Sequence, residues 1–268
     1  MGKNNPLNPS LIIATYNWPE ALELVLESVS KQSLPPSELI IADDGSSDRT
    51  KKVIDAFRAT VPYPVKHIWH EDNGYRLSSI RNKAFLACKG DYIIQADGDI
   101  IFHPDFIFDH VSSVAKGYFI IGGRINLTQE QTGRALAGEP IKSLDGFGFS
   151  KRIKKSRIPI ISPFMYGYKS GNFMYGFGAN ISFWTEDVRK VNGFDEDFTG
   201  WGLEDSDFIS RMMNLGLKKR YLRFRAICYH LWHSSRKRDD VFDKNRIILG
   251  KNVHSKRIFC ENGMVKKS

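Results

Sequence analysis

A chain of 268 residues with 41% hydrophobic and 26% charged residues can bury a full core, which excludes a disordered, collagenous or disulfide-stapled protein. The formal net charge is +9, but Lys151, Arg152, Lys154, Lys155 and Arg157, with seven bases between Lys244 and Lys267, carry it; outside these segments 27 bases face 29 acids. The charge therefore belongs to a loop and a tail rather than to a nucleic-acid-reading face. No apolar run approaches the ~18 residues of a membrane span, and Cys88, Cys228 and Cys260 are too few and too far apart for a disulfide framework or a zinc ribbon.

In chain order, residues 11–15 form a short apolar strand followed by a polar turn. Pro19 then opens a helix whose Leu22, Val25, Leu26 and Val29 recur at helical spacing. Residues 38–42 read as a second buried strand ending in Asp43-Asp44-Gly45, and Ser46 and Ser47 can cap a helix with Val53, Ile54 and Phe57 on its apolar face. A third strand at 65–69, a helix at 79–88 and a fourth strand at 92–96 follow, the last running into Asp97-Gly98-Asp99. This alternation implies a mostly parallel sheet covered by helices, with ligands beyond the carboxyl ends of its strands. Residues 123–174 lack clear periodicity and read as a flexible loop or lid. Order resumes at 178–184, and a helix at 185–191, a helix carrying Phe208, Ile209, Met212 and Leu215, and a strand over 221–229 complete the expected elements.

Four groups carry chemistry. In Asp97-Gly98-Asp99, two carboxylates at a strand end suit Mg²⁺ or Mn²⁺ with phosphate oxygens as further ligands. The run Gly200-Trp201-Gly202-Leu203-Glu204-Asp205 sets an aromatic surface beside two carboxylates. That pair can accept from sugar hydroxyls, and one of them can take a proton from an attacking hydroxyl; acids opening a helix also serve the helix dipole. His230 and His233 lie three residues apart after a strand, where an imidazole can complete a metal shell. Asp43, Asp44 and Arg81 suit a ribose, a base or a phosphate, although each alone also fits a surface turn or an ion pair.

Residues 12–17, 41–48, 79–84 and 90–99, taken in that order, resemble a family 2 glycosyltransferase of the GT-A fold. Asn192-Gly193-Phe194-Asp195-Glu196 and Gly200 to Asp205 resemble the C-terminal module of galactosyltransferases and bacterial chondroitin polymerases. The resemblance implies an α/β GT-A fold: a Rossmann-like nucleotide-binding half joined to an acceptor-binding half around one mixed sheet. The expected division is 8–122 for the nucleotide-sugar half, 123–240 for the acceptor half with its loop 123–176, and 241–268 for a basic tail. Ala14, Thr15, Tyr16, Asp43, Asp44, Arg81, Asp97 and Gly98 would hold the nucleotide. Asp97, Asp99, His230 and His233 are the candidate metal ligands, with the choice between the two histidines open. Trp201 and Glu204 would position the acceptor, and Asp205 would be the general base.

The implied activity is inverting, Mn²⁺- or Mg²⁺-dependent transfer from a nucleotide-sugar, a UDP-sugar by preference, to a hydroxyl of a glycan or glycolipid in bacterial surface polysaccharide synthesis. Ser206 stands where galactosyltransferases often carry a further acid, so their acceptor preference does not transfer. Competing readings are a catalytically silent sugar- or nucleotide-binding module and a nucleotidyltransferase. The latter is disfavoured by Thr15-Tyr16-Asn17-Trp18 where a Gly-rich phosphate loop would stand. The opening residues carry no apolar leader segment, and the expected location is cytoplasmic, with peripheral contact to an anionic membrane.

Overall fold

Alternation along the first strand sets the layers of the molecule. In β1 (Pro9–Thr15), Leu11 and Ile13 join one apolar cluster while Ile12 and Ala14 join another, on opposite faces of the sheet. The structure is a computed structural model that describes residues 7–140, 157–160, 178–234 and 240–266. β2 (Glu38–Asp43) and β4 (Tyr92–Asp97) flank β1 in parallel, and β3 (Val65–Trp69) extends β2. Beyond β4 the sheet turns mixed: β8 (Asn180–Trp184) runs antiparallel to both β4 and β6 (Tyr118–Ile121), and β9 (Lys218–Tyr221) lies parallel to β6. The order across the seven strands is β3-β2-β1-β4-β8-β6-β9.

Helices cover both faces. On the Leu11 side lie α1 (Pro19–Ser30), started by its N-terminal proline, with Ile54 of α2 (Asp48–Arg58) and Phe106 and Ile107 of α4 (Phe106–Ser112). On the Ile12 side lie α3 (Leu77–Ala87), α6 (Thr185–Val191) and α7 (Glu204–Asn214), where Phe85, Phe194 and Phe208 stack. Each fully buried Leu, Ile or Phe in these layers contributes about 1.5–3 kcal/mol.

A second sheet of three strands, additional to the single mixed sheet expected, has the order β5-β10-β7. It comprises β5 (Ile100–Phe102), β7 (Arg124–Asn126) and β10 (Cys228–His230). It corrects the expected strand over 221–229. That stretch ends one strand at Tyr221 and starts another at Cys228, with Phe224 and Ala226 at φ 59° and 49° between them. The buried Asp109 carboxylate draws the chain around by accepting the Ala226 amide (3.0 Å).

The supposed loop from 123 also contains order. β7 is followed by α5 (Gln129–Leu136), whose Thr128 hydroxyl accepts the Gln131 amide while the Gln131 side chain accepts the Thr128 amide. Residues 141–156 and 161–176, with the bases at 151–155, lie outside the described residues. Arg157 is described, and it pairs with Asp105 and Asp109 instead of facing a ligand.

The segment expected as a basic tail is folded. α8 (Asp240–His254) packs on α7, and Asn252 Nδ2 donates to Asp207 Oδ1 (2.8 Å). Residues 260–265 wrap Asn192, which sits in the left-handed region at φ 63° and holds the Cys260 and Val265 carbonyls and the Val265 amide. Among the described residues no helix is long and apolar enough to cross a membrane.

Candidate active site

The carboxyl ends of β1, β2 and β4 open into a cavity of about 450 Å³, roofed by the segment leading into α7. Ala14, Thr15 and Tyr16 line its floor at the end of β1. Gly98 lies so close beneath them that a Cβ there would meet the Thr15 side chain at 2.9 Å, which explains the glycine between the two acids. Asp44 lines the cavity and Asp43 does not, because successive side chains leave a strand on opposite sides. Asp43 accepts the Ser46 amide (2.8 Å) and pairs with His67 Nε2 (2.8 Å), so it shapes the turn rather than reaching into the cavity. Asp44 accepts the Arg76 amide (2.9 Å) and pairs with His70 Nε2 (2.6 Å). Lys83 Nζ, which can only donate, lies 3.2 Å from His70 Nδ1; that places the imidazole proton on Nε2, facing Asp44.

Arg81, on α3 and 1% exposed, joins the two halves of the site. Its Nη2 donates to Asp97 Oδ1 (2.9 Å) and its Nη1 to Asp205 Oδ1 (2.9 Å), with Glu204 Oε1 at 4.0 Å. Burial works against the guanidinium charge, but Asp205, Asp97 and Glu204 more than offset it and keep Arg81 protonated. One cation does not balance three carboxylates. Glu204 is pushed up to about 7 by burial and the adjacent Asp205 charge, and Asp205 is also raised, by burial, against the pull of Arg81. The Gly178 amide donates to Asp205 Oδ2 (3.1 Å), and a Cβ on Gly178 would collide with that carboxylate.

Across the cavity, Asp99, His230 and His233 bring one ligand atom each within 4.8 Å of one another. The small sheet creates this cluster: His230 is registered opposite Ile100, and the Leu231 amide donates to the Asp99 carbonyl (2.9 Å). Both histidines come 3.4 Å from Asp99 Oδ2, while Asp99 Oδ1 is buried without a protein partner. Burial and the Asp97 charge push the Asp99 carboxyl up to about 7; burial, then Arg124, holds His230 down at about 4, neutral and fit to ligate. A buried lone acceptor beside two imidazoles suits a divalent cation, and the two nitrogen donors favour Mn²⁺ over Mg²⁺, which prefers oxygen ligands. Asp97 stands outside this cluster, its Oδ1 taken by Arg81.

Trp201 rises at the cavity edge, 40% exposed, on backbone that turns through positive φ at Gly200 (65°), Gly202 (108°) and Leu203 (75°). Leucine rarely adopts that conformation. Here it brings Glu204 and Asp205 into the first turn of α7, with the Gly202 amide donating to Glu204 Oε2 (3.1 Å).

The cavity also takes residues that the sequence reading missed: Trp18, Tyr75, Leu77, Arg124, Gly178 and Ala179. Tyr75 and Leu77 adjoin the Arg81 motif and were within reach of it. Arg124 enters through β7, whose three residues carry no pattern of their own.

The family described as Glycosyl transferase family 2 matches residues 10–176, and that described as N-terminal domain of galactosyltransferase matches residues 160–234. Among curated proteins, the chain is 25% identical over 220 residues to validoxylamine A glucosyltransferase of Streptomyces hygroscopicus subsp. limoneus, covering 78% of this chain and 48% of that protein. It is 26% identical over 250 residues to chondroitin synthase of Escherichia coli, covering 82% and 34%. The chain thus spans about half the length of these relatives, or less. Among solved structures, S. aureus TarS 1-349 in complex with UDP superposes with a TM-score of 0.65 at 16% identity, covering 93% of this chain and 68% of that one. Mannosyltransferase PcManGT from Pyrobaculum calidifontis, in complex with GDP-Man and Mn2+, gives 0.59 at 14%, covering 94% and 71%. These likenesses carry the fold, which is the expected GT-A arrangement.

Proposed function

Because the chain belongs to glycosyl transferase family 2, we propose that it moves a sugar from a UDP-sugar to a hydroxyl of a glycan or glycolipid, with inversion and with a divalent cation, in surface polysaccharide synthesis. One observation carries the reading: a single cavity sets the Glu204–Asp205 pair opposite Asp99, His230 and His233, with Arg81 between. Thr15, Asp44 and Asp97 would receive the nucleoside, Asp44 as an acceptor oriented by His70. Asp99, His230 and His233 would hold Mn²⁺ or Mg²⁺, which when bound offsets negative charge on the diphosphate. TarS has been solved with UDP and PcManGT with GDP-Man and Mn2+, which supports a nucleotide-sugar and a metal here.

On the acceptor side, Arg81 reaches Asp205 at 2.9 Å and stands 4.0 Å from Glu204, so the guanidinium favours the charged form of Asp205 more than that of Glu204. Glu204, pushed up to about 7, is able both to donate to and to accept from sugar hydroxyls. Asp205 takes the proton of the attacking hydroxyl as the bond to the anomeric carbon forms, on the face opposite the leaving diphosphate. Trp201 offers its ring to the apolar face of the acceptor sugar. The chondroitin synthase relatives support a polysaccharide acceptor. Exposed Lys244, Lys251 and Lys256 around α8 suit peripheral contact with anionic lipid.

The test is a mass-spectrometric screen of UDP-, GDP- and CMP-sugars with Mn²⁺ over a panel of p-nitrophenyl β-glycosides, with Asp205→Asn alongside. Transfer from a UDP-sugar, reduced at least about 100-fold in Asp205→Asn, is expected. Undiminished transfer in that variant would remove Asp205 as the base, and turnover confined to GDP- or CMP-sugars would overturn the donor assignment.

A further inference from the structure

The C-terminal helix α8 lies beyond both matched stretches, which end at residues 176 and 234. It nonetheless makes specific contacts with the loop that carries Trp201. Asn245 is 1% exposed, and its Nδ2 donates to two carbonyls that bracket Trp201: Thr199 at 3.0 Å and Gly202 at 2.9 Å. Phe242, one turn earlier, stacks on the Trp201 indole with centroids 5.9 Å apart and planes 28° from parallel. Val241 and Phe242 also close the space beside Gly200 and Gly202. A Cβ at either glycine would meet Val241 Cγ1 at 2.6 Å or Phe242 Cδ2 at 2.8 Å.

This loop has reason to need outside support. It turns through positive φ at Gly200, Gly202 and Leu203, and glycine carries the largest conformational freedom when unrestrained. Its carbonyls at Thr199 and Gly202 are satisfied by a side chain from a helix about 40 residues away in sequence, at separations of 46 and 43. An asparagine with both amide hydrogens committed to those carbonyls fixes where the loop enters and leaves. The aromatic stack fixes the plane of the ring between them.

We infer that Asn245 and Phe242 are positioning residues for acceptor recognition: α8 forms the back wall of the acceptor subsite, holding the Trp201 loop and ring so that the indole presents one face to a sugar. The inference rests on the proposed reading of Trp201 as acceptor-binding. It assigns specificity for the acceptor, and not for the donor, to a segment outside the matched family stretches.

The test uses the full chain with Asn245→Ala, Asn245→Asp, Phe242→Ala and Phe242→Leu. Asn245→Asp keeps the size and removes both donors, and Phe242→Leu keeps apolar volume without the stack; these serve where the alanine variants fold poorly. Hydrogen exchange is read first. Amides of residues 199–203 should exchange at least about tenfold faster in the Asn245 variants, a local opening, with β4 unchanged. Unchanged exchange at 199–203 would overturn the clamp, and this arm needs no acceptor.

Kinetics are read on the p-nitrophenyl glycoside panel. KM for the glycoside should rise about tenfold in the Phe242 variants, with the Kd for UDP–Mn²⁺ held within about twofold. In a Trp201→Ala background the same Phe242 changes should add nothing further. An equal loss of UDP affinity, or full additivity with Trp201→Ala, would mean a general structural role and refute the inference. Should Trp201→Ala itself leave glycoside KM unchanged, the acceptor reading of Trp201 fails instead, and the exchange result stands apart from it.

Discussion

Replacing Arg81 with methionine removes a cation in direct contact with both Asp97 and Asp205 while keeping most of the apolar volume. Breaking a buried ion pair in this way costs about 3–5 kcal/mol, because the abandoned carboxylates remain out of water. For a chain of this size that corresponds to a fall in Tm of roughly 10 °C at pH 8. The loss should depend on pH. Glu204 has its folded pKa raised to about 7 from an ordinary 4.5. The folded protein therefore binds that proton more tightly than the unfolded chain, and the resulting stability is present at acid pH and lost as pH rises from about 4.5 to 7. Without Arg81 the carboxylates hold protons more tightly still, so at pH 5 protonation of Glu204 and Asp205 replaces part of what the guanidinium supplied. Thermal unfolding by circular dichroism at pH 5 and pH 8, with EDTA present, should show the variant's deficit shrinking to about half at the lower pH. A deficit equal at both values, or larger at pH 5, would refute the charge-balance account of the cavity.

Four further outcomes follow from the geometry. Gly178→Ala pushes a methyl group into the Asp205 carboxylate; transfer should fall at least about tenfold with UDP binding retained, as calorimetry alongside the transfer assay would reveal. Asp99→Ala and His233→Ala should each weaken Mn²⁺ binding about 10- to 100-fold, measured by electron paramagnetic resonance of free Mn²⁺ with UDP present. Mn²⁺ affinity should also rise from pH 6 to pH 8 as Asp99, at about 7, gives up its proton. Asn192→Gly keeps the left-handed turn but loses the hydrogen bonds to Cys260 and Val265; denaturant unfolding should record a loss of about 2–3 kcal/mol.

What could be read in advance follows from where the forming interactions lie. β1, β2 and β4 are short, largely apolar runs bounded by turn residues, and the helices between the first strands repeat their apolar residues at helical spacing, so neighbours in sequence specify them. The helix at Thr185–Val191 was legible for the same reason. The Tyr221-to-Tyr229 run alternates like a strand, yet a distant carboxylate, Asp109, bends it through Ala226. β7 and α5 were hidden in the stretch 123–174, which lacks clear periodicity, although Thr128 and Gln131 stand at capping-box spacing. The candidate site was legible as motifs, because Asp97-Gly98-Asp99 and Glu204-Asp205 are contiguous. The contributions of Arg124, Gly178 and Asn245 were not, since each depends on an approach between segments far apart in the chain. Asp43 illustrates the converse: an adjacent acid in the same motif as Asp44, turned away by strand alternation.

The Arg81 bridge also bears on how such a chain can diversify. The guanidinium belongs to the stretch matched as one family, and Asp205 to the stretch matched as another. A recombination that exchanges the second half for a different one preserves charge balance only if the incoming half delivers a carboxylate to the same point beside α3. The bridge therefore filters which halves can be grafted together, and leaves the surfaces beyond it open to change.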